Sequence, residues 1–206
     1  MYEVMLALSR SIDQAHINDS TTLVDILNGR SQWQVMNRVV TVRGSLDGRP
    51  LVISHHDYYF LSSSVYYADY IRNILEIFVA EPRMSFEGEC RRRRALDVCA
   101  RWFGWGGIRG AASVFRTRRI DGVASPGRDE LENPEFCRRL EELSGDETCV
   151  KVQLLRDAGI TALFRSASVT GSLDGLRVLV SQCIALAEGR AYEAAMGPLS
   201  RSGHSG

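Results

Sequence analysis

Residues 39–53 read VVTVRGSLDGRPLVI, and this stretch decides the fold expected for the chain. The β-branched run Val39–Val42 predicts one strand, and Leu51–Ser54 predicts its partner. Asp47-Gly48 lies between them and is a dipeptide typical of a two-residue hairpin turn. The stretch therefore predicts a β-hairpin over residues 39–54.

The pentapeptide GSLDG occurs twice, at residues 44–48 and again at residues 171–175. Two interpretations are open. One is a pair of duplicated ββα units, with a second hairpin over residues 168–181. The other is chance reuse of the same Asp-Gly turn chemistry.

Helical spacing of apolar residues predicts several helices around this hairpin. The predicted helical segments are residues 2–17, a short stretch after Ser20, 65–80, 91–103, 131–143 and the second half of 176–195. Residues 148–155 fit a strand or a helix, and residues 121–128 fit a surface loop. The fold class expected is α/β or α+β, with helices packed on a small sheet.

Length and composition indicate one globular domain over residues 1–199 and a flexible tail over residues 200–206. The chain has 206 residues, 45% of them hydrophobic, and a formal net charge of zero. Such a chain can bury a full core. Neutrality argues against a dedicated nucleic-acid or membrane-surface protein, although it allows a local charged patch.

Cysteine usage indicates a reducing compartment, and we expect a cytoplasmic protein without a membrane segment. The five cysteines are odd in number, and no two have CxxC spacing. The N-terminus lacks the basic region of a signal peptide, and no apolar run reaches the length of a membrane span. We expect most of these cysteines to pack as small apolar residues.

His55-His56-Asp57 follows the second predicted strand and is the first candidate catalytic group. Neighbouring strand residues point to opposite faces, so only one histidine can face a given site. An imidazole oriented by a carboxylate can act as a general base. The alternative is a polar strand end packed by tyrosines. No ligand spacing in the chain predicts a metal site.

Two further segments could bind an anionic group. Ser62-Ser63-Ser64 precedes a predicted helix, where backbone N–H groups can hold a phosphate or an oxyanion, or the serines can simply cap the helix. Gly104–Gly110 is glycine-rich without the order of a phosphate-binding loop. Within it, Gly106 and Gly107 could supply N–H groups, and Arg109 could hold an anion.

Charge is segregated along the chain. Residues 91–119 hold nine arginines and one acid, whereas residues 129–147 hold eight acids and two arginines. The arginine-rich segment begins with Arg91-Arg92-Arg93-Arg94. It could bind phosphates of a nucleotide, CoA or nucleic acid. Alternatively, the two segments neutralise each other, within the fold or across a homo-oligomer. Lys151 is the single lysine, which fits arginine-rich codon usage.

The hairpin resembles the opening of biotin-dependent acyl-CoA carboxyltransferase domains and of the related malonate decarboxylase subunit. Those domains carry a VVTGxGxxDGRPVxV-like hairpin, then an aspartate, then a Gly-Gly-Ser turn into a helix. Asp57 falls at the aspartate position and Ser62–Ser64 falls near the glycine turn. The resemblance covers residues 39–80. Serines replace the glycines, and residues 83–90 do not match the next glycine-rich turn of the family.

The resemblance implies a crotonase-like ββα fold that binds acyl-CoA and stabilises an enolate with backbone N–H groups. Two hypotheses follow. In the first, the chain binds or acts on a CoA thioester, as a carboxyltransferase-like or decarboxylase-like protein that is active or diverged. In the second, it is a non-enzymatic regulatory or interaction protein, and the arginine-rich segment 91–119 contacts an anionic protein or nucleic acid.

Overall fold

The computed structural model describes most of the chain outside a central segment and the C-terminal end. The described residues are 2–28, 31–62, 68–84, 86–92, 118–122, 131, 133–165 and 172–195. The predicted tail, the glycine-rich segment 104–110 and residues 123–128 of the predicted surface loop lie outside them.

Three helices and eight strands are present in the described residues. The helices are α1 (Tyr2–Ser9), α2 (Pro134–Gly145) and α3 (Leu173–Ala195). The strands are β1 (Asp13–Asn28), β2 (Ser31–Leu46), β3 (Arg49–Ser62), β4 (Ala68–Ala80), β5 (Gly88–Arg92), β6 (Arg118–Gly122), β7 (Cys149–Leu155) and β8 (Gly159–Arg165). They form one mostly antiparallel sheet in the order β1-β2-β3-β4-β8-β7-β5-β6. The α+β expectation is confirmed.

The predicted hairpin is confirmed and extends well beyond its predicted ends. Strands β2 and β3 pair antiparallel from Leu46 opposite Arg49 to Trp33 opposite Ser62. Asp47 and Gly48 both have positive φ, at 51° and 75°, which is the geometry of a type I′ turn. The twist of such a turn matches that of the strands, so the Asp-Gly dipeptide sets the register of the hairpin.

The second GSLDG copy forms a different structure, so the hairpin predicted over residues 168–181 is wrong. Helix α3 begins at Leu173, and the N–H of Gly175 donates to Ser172 Oγ at 3.1 Å. Serine in this position caps a helix, and Asp174 in the first turn suits the positive end of the helix dipole. Turn chemistry and cap chemistry use the same residues, and the flanking sequence decides between them.

The N-terminal helix is shorter than predicted, and the prediction of a short helix after Ser20 is wrong. Ser9 Oγ donates to the Leu6 carbonyl at 2.8 Å, and Ser11 Oγ donates to the Leu8 carbonyl at 2.7 Å. Such bonds compete with the backbone ladder of a helix. The chain then continues as β1, which pairs with β2 from Asp13 to Asn28. Tertiary pairing therefore overrides the helical spacing.

The helix predicted over residues 65–80 is also wrong, because residues 68–80 form β4. Leu75, Ile77 and Val79 are fully buried at every second position, which is the period of a strand. The same segment also has apolar residues at helical spacing. The β-branched content of its second half favours the strand.

The predictions for two later helices and one later strand agree better with the structure. Helix α2 matches the segment predicted over residues 131–143, and α3 includes the helix predicted for the second half of 176–195. Asn133 caps α2, since its Oδ1 accepts from the N–H of Glu135 at 2.8 Å. Residues 149–155 form β7, which resolves the strand-or-helix ambiguity. Of the helix predicted over 91–103, the first two residues belong to β5 and the rest lie outside the described residues.

Packing groups the residues into two compact units. The first comprises Met1–Phe78, Thr148–Val150 and Ala162–Val180, and the second comprises Val79–Glu147, Lys151–Thr161 and Ser181–Gly206. The core of the first unit includes Met5, Leu8, Val42, Ile53 and Leu75. The core of the second includes Met84, Phe86, Ile120, Phe136 and Leu140.

We expect Gly44→Ala to destabilise the first unit. A Cβ atom at Gly44 would lie 2.6 Å from the backbone oxygen of Asp13 and would also meet the Ile12 side chain. Overpacking against backbone costs about 1–3 kcal/mol. Urea unfolding measures the change, with Ser45→Ala on the same strand as the control. Equal stability of the two variants would contradict this reading of the packing.

Candidate functional site

Strand β5 lies between β6 and β7, and its register places three cationic side chains in one line. Arg91 is directly opposite Arg119 on β6 and directly opposite Lys151 on β7. Directly opposite residues of an antiparallel pair share one face of the sheet. Neighbouring strands are about 4.8 Å apart, so this line spans about 10 Å. We call Arg119, Arg91 and Lys151 the cationic row.

A second line of polar side chains runs beside the first on the same face. Glu89 is directly opposite Asp121 on β6 and Gln153 on β7. These residues are two positions from the cationic row on each strand, and side chains alternate with a period of two. The two lines are therefore about 7 Å apart. We call Asp121, Glu89 and Gln153 the acidic row.

Ion pairs connect the two rows. Lys151 Nζ lies 3.0 Å from Glu89 Oε2, and Arg119 Nε lies 2.7 Å from Asp121 Oδ2. In the centre, Arg91 Nη1 donates to the Arg92 carbonyl at 3.3 Å. The charged side chains of the paired residues are between 23% and 40% exposed. The three cations and two carboxylates of the two rows sum to a formal charge of +1.

The opposite face of the same three strands is apolar and buried. Cys90 is opposite Ile120 on one side and Val152 on the other, and all three are buried. Helix α2 contacts β5 and contributes the buried Leu140 and Cys137. If the strands were turned over, the charged rows would be buried. Packing of the apolar face therefore keeps the charged rows on the outer face.

Burial also makes the thiols of Cys90 and Cys137 inert. It raises the pKa of Cys90 to about 11, and it raises the pKa of Cys137 to about 11 as well. Both thiols stay protonated near neutral pH, whereas a nucleophilic cysteine needs the thiolate. Cys137 Sγ instead donates to the Leu131 carbonyl at 2.8 Å. The four described cysteines are buried and form no disulfide.

A pair of opposed glycines fixes the register of β5 against β6. Gly88 is directly opposite Gly122, and the buried Phe86 ring lies against both. A Cβ atom at Gly88 would lie 2.7 Å from the Asp121 carbonyl oxygen, and one at Gly122 would lie 2.9 Å from Phe86 Cζ. Because only glycine leaves room for the ring, a shift of one residue would not fit.

A shallow depression of about 330 Å³ lies at the acidic end of the outer face. Its lining includes Glu87, Glu89 and Asp121, together with Gln153 and Leu155. Leu155 is one of the exposed large apolar residues of the chain. The depression therefore combines carboxylates with an apolar surface, a setting suited to the stem and head of a basic side chain.

His55 and His56 lie on opposite faces of β3, as expected from their adjacency. His55 is buried, and its Nδ1 lies 3.5 Å from Asp57 Oδ2 on the same strand. His56 is partly exposed, its Nε2 lies 3.8 Å from Glu76 Oε2, and its ring stacks on Tyr58. Asp57 thus stands where it can orient the His55 imidazole, but only 1% of that imidazole is exposed.

Burial lowers the pKa of His55, and the nearby Asp57 carboxylate opposes this effect. A lowered pKa means that the folded chain favours the neutral imidazole. An accessible general base needs contact with a substrate, and this imidazole is enclosed by the core of the first unit. The catalytic role of His55, His56 and Asp57 stays a prediction.

The remaining predicted site residues are only partly placed by the structure. Ser62 ends β3, whereas Ser63, Ser64, Gly106, Gly107 and Arg109 lie outside the described residues. Of the four consecutive arginines, Arg91 belongs to the cationic row and Arg92 is opposite Arg118, which is largely buried. Arg93 and Arg94 also lie outside the described residues.

The sequence did not predict three charged residues of this face: Lys151, Glu89 and Asp121. It marks Lys151 only as the single lysine of the chain. The alternation of charged and apolar residues in 88–92 and 149–155 was the available signal. That signal identifies outward-facing residues, but it cannot tell which strands are neighbours.

Neither related proteins nor a metal centre is found for this chain within the comparisons and the described residues. Family models, curated proteins and solved structures give no significant match to the chain. Among the described residues, no group of His, Cys, Asp or Glu is arranged to hold a metal ion. Within the same residues, no helix is long and apolar enough to cross a membrane.

We expect the contribution of His55 to stability to fall at mildly acidic pH. Below its ordinary pKa of about 6.5, the unfolded chain takes up a proton that the folded chain resists. The free energy of unfolding should therefore fall by up to about 1.4 kcal/mol per pH unit from this group. His55→Gln removes the effect, and urea unfolding between neutral and mildly acidic pH measures it.

The exposed His16 offers a matched control, because His16→Gln removes an imidazole that is not enclosed. The difference in stability between wild type and His55→Gln should shrink as the pH falls, and the His16→Gln difference should change less. A His55→Gln difference that stays constant over this pH range would show that burial does not perturb the titration of His55.

Proposed function

We propose that the chain is a non-enzymatic binding protein that uses the cationic row of the outer face to hold an acidic segment of a protein partner. This is the interaction hypothesis, with the arginine-rich segment reduced to Arg91 and Arg119 and joined by Lys151. Placement in the reducing cytoplasm is part of the proposal, supported by the four cysteines among the described residues, which are buried and form no disulfide.

The register of three like charges carries this proposal. Like charges directly opposite each other destabilise an antiparallel pair, whereas opposite charges stabilise it by about 0.2–1 kcal/mol. Arg91 has a cation opposite it on both sides. Such a row of like charges on a partly exposed face forms a surface that can bind several carboxylates at once.

The acidic row favours a protein partner over a nucleic acid. Nucleic-acid binding depends on many cations that neutralise successive phosphates. Here Glu89 and Asp121 stand about 7 Å from the cations and would repel neighbouring phosphates. A peptide can place a carboxylate against Arg91 and a basic or apolar side chain beyond it. The zero net charge of the chain agrees with this choice.

We expect Arg91→Glu to weaken binding of a labelled oligoglutamate peptide by about tenfold or more, equivalent to at least 1.4 kcal/mol. The same change places an acid between Arg119 and Lys151. This acid can pair with either cation, so the variant should stay folded. Fluorescence anisotropy at low and high ionic strength measures binding, and urea unfolding measures stability.

Arg177→Glu is the matched control. Arg177 is half exposed on α3, and its guanidinium lies 3.8 Å from Asp174, so the variant makes the same charge change on another surface. It should bind the peptide almost as well as wild type. Equal loss of binding in both variants would reduce the effect to net charge, and binding that survives Arg91→Glu at high salt would exclude the cationic row.

The acyl-CoA hypothesis is a second proposal, and the hairpin supports it. The Asp47-Gly48 turn and its two strands form as the carboxyltransferase resemblance requires. The segment after Ala68 is a strand in this chain, whereas the resemblance implies a helix there. The remaining support for the acyl-CoA hypothesis comes from the sequence, at Ser62–Ser64 and at Gly106–Arg109.

We expect acetyl-CoA at millimolar concentration to distinguish the two proposals in isothermal titration. Binding of acetyl-CoA to a carboxyltransferase-like site would give a saturable heat signal. Replacement of Ser63 and Ser64 by proline would abolish this signal, because it removes backbone N–H donors. Free adenosine diphosphate is the control for phosphate binding alone. Absence of saturable heat at millimolar acetyl-CoA would reject the acyl-CoA proposal.

A further inference from the structure

Two arginines form the last rung of the β5–β6 pair. Strand β5 ends at Arg92 and β6 begins at Arg118, and the two residues are directly opposite each other. Directly opposite residues share one face of the sheet, with Cβ atoms about 5 Å apart. This face is the inner one, because the buried Cys90 and Ile120 lie two positions along the same strands. The two arginines therefore lie at one end of the apolar row, on the face opposite the cationic row.

Neither of these arginines has a carboxylate partner among the described residues. Arg119 and Lys151 of the cationic row are paired with acids, whereas Arg92 and Arg118 form no ion pair with any side chain that the structure describes. Arg118 is only 9% exposed, and its Nε has no hydrogen-bond acceptor. A buried donor without an acceptor destabilises the fold, and more so in a charged group. The rung therefore holds two positive charges and one unused donor.

The C-terminal end of α2 lies against the Arg118 guanidinium. Arg118 Nη2 is 4.0 Å from the position that a Cβ atom on Gly145 would take. The Cys90 thiol is buried nearby. The C-terminal end of a helix carries the negative end of the helix dipole, which favours a cation. This dipole explains why a cation is tolerated here, but it leaves the Nε donor without an acceptor.

We propose that Arg92 and Arg118, which we call the inner arginine pair, bind the phosphate group of a small molecule. Two guanidinium groups carry two positive charges, and a phosphate monoester carries a charge of about −1.5 to −2 with three acceptor oxygens. A carboxylate carries one charge and two oxygens, which a single arginine already satisfies. Arg38 holds Asp19 in this way, through Nε and Nη2. A phosphate therefore matches the inner arginine pair better in charge and in acceptors.

The Arg38–Asp19 pair also shows the geometry that Arg118 can use. One phosphate oxygen accepts from Nε and a second accepts from Nη2, as in a bidentate pair. Because Nε is enclosed in the free chain, the guanidinium turns outward about its flexible stem when the anion binds. Arg92 is exposed and reaches the third oxygen from the solvent side. The anion then supplies the acceptor that Arg118 lacks.

A nucleic acid fits the inner arginine pair less well than a small phosphate does. Nucleic-acid binding uses a series of exposed cations along the backbone. Here one of two cations is largely buried, and the next residues on this face are the apolar Cys90 and Ile120. A single terminal phosphate needs no longer track. The inference is independent of the proposed function, since the acidic peptide would bind the other face of the same strands.

Isothermal titration with inorganic phosphate tests the proposal. Wild type should show saturable binding with a dissociation constant on the order of 1 mM. Arg92→Gln should weaken binding by about fivefold or more, and Arg118→Gln should weaken it by about tenfold or more, because each removes charge-assisted hydrogen bonds. Arg177→Gln, on α3, is the matched control and should bind phosphate as wild type does.

Two outcomes of this titration would overturn the proposal. One is the absence of saturation at phosphate concentrations about tenfold above the expected dissociation constant. The other is loss of binding in Arg91→Gln together with wild-type binding in Arg118→Gln, which would assign the anion to the cationic row.

Three further ligands identify the class of anion. Methyl phosphate that binds at least as tightly as inorganic phosphate supports a phosphate ester, whereas tighter binding of inorganic phosphate supports free phosphate as the ligand. Acetate that binds as tightly as phosphate would overturn the choice of a phosphate group. A single-stranded oligonucleotide that displaces phosphate and binds about tenfold more tightly than methyl phosphate would overturn the choice of a small molecule.

A measurement on the wild-type chain removes any dependence on the folding of Arg118→Gln. Phenylglyoxal modifies accessible guanidinium groups, and peptide mass spectrometry reports the rate at each arginine. Saturating phosphate should slow the modification of Arg92 severalfold and leave that of Arg177 unchanged. Equal rates at Arg92 with and without phosphate would overturn the proposal, because the exposed member of the inner arginine pair must be covered by the bound anion.

Discussion

The Phe86 ring on the Gly88–Gly122 pair is the constraint on which the charged face depends. It leaves room only for glycine at both positions, and it fixes β5 against β6 in one register. A slip of one residue would carry every side chain of β5 to the other face. Arg91 would then face the core, and Cys90 would face solvent. The ring therefore determines which charges become neighbours.

This register gives the two faces of the same three strands different roles. Ile120, Cys90 and Val152 supply the buried apolar row that stabilises the second unit. The ion pairs of the outer face contribute little to stability, since they are partly exposed. Such a face is free to serve binding.

The β2–β3 hairpin shows which part of the fold could be predicted from the sequence. Asp47-Gly48 predicted the turn because only a few residues accept positive φ at low cost, and both residues adopt it. Apolar spacing, which acts within a few residues, also predicted helix α2 and the second half of α3. The strands β1 and β4 were predicted as helices. Their apolar residues fit both periods, and the choice depended on a distant partner strand.

Less of the candidate site could be predicted from the sequence. Arg91 was predicted only as part of an arginine-rich segment, and Lys151 stood out only as the single lysine. The sequence by itself determined the local events: the Asp-Gly turn, the Asn133 cap and the alternation of charged and apolar residues in β5 and β7. Only the tertiary structure decided that Arg91 lies between Arg119 and Lys151, and that Glu89 lies beside Asp121. These residues are far apart along the chain, and strand order and register depend on the whole sheet. The same reason explains why one GSLDG copy closes a hairpin and the other begins a helix.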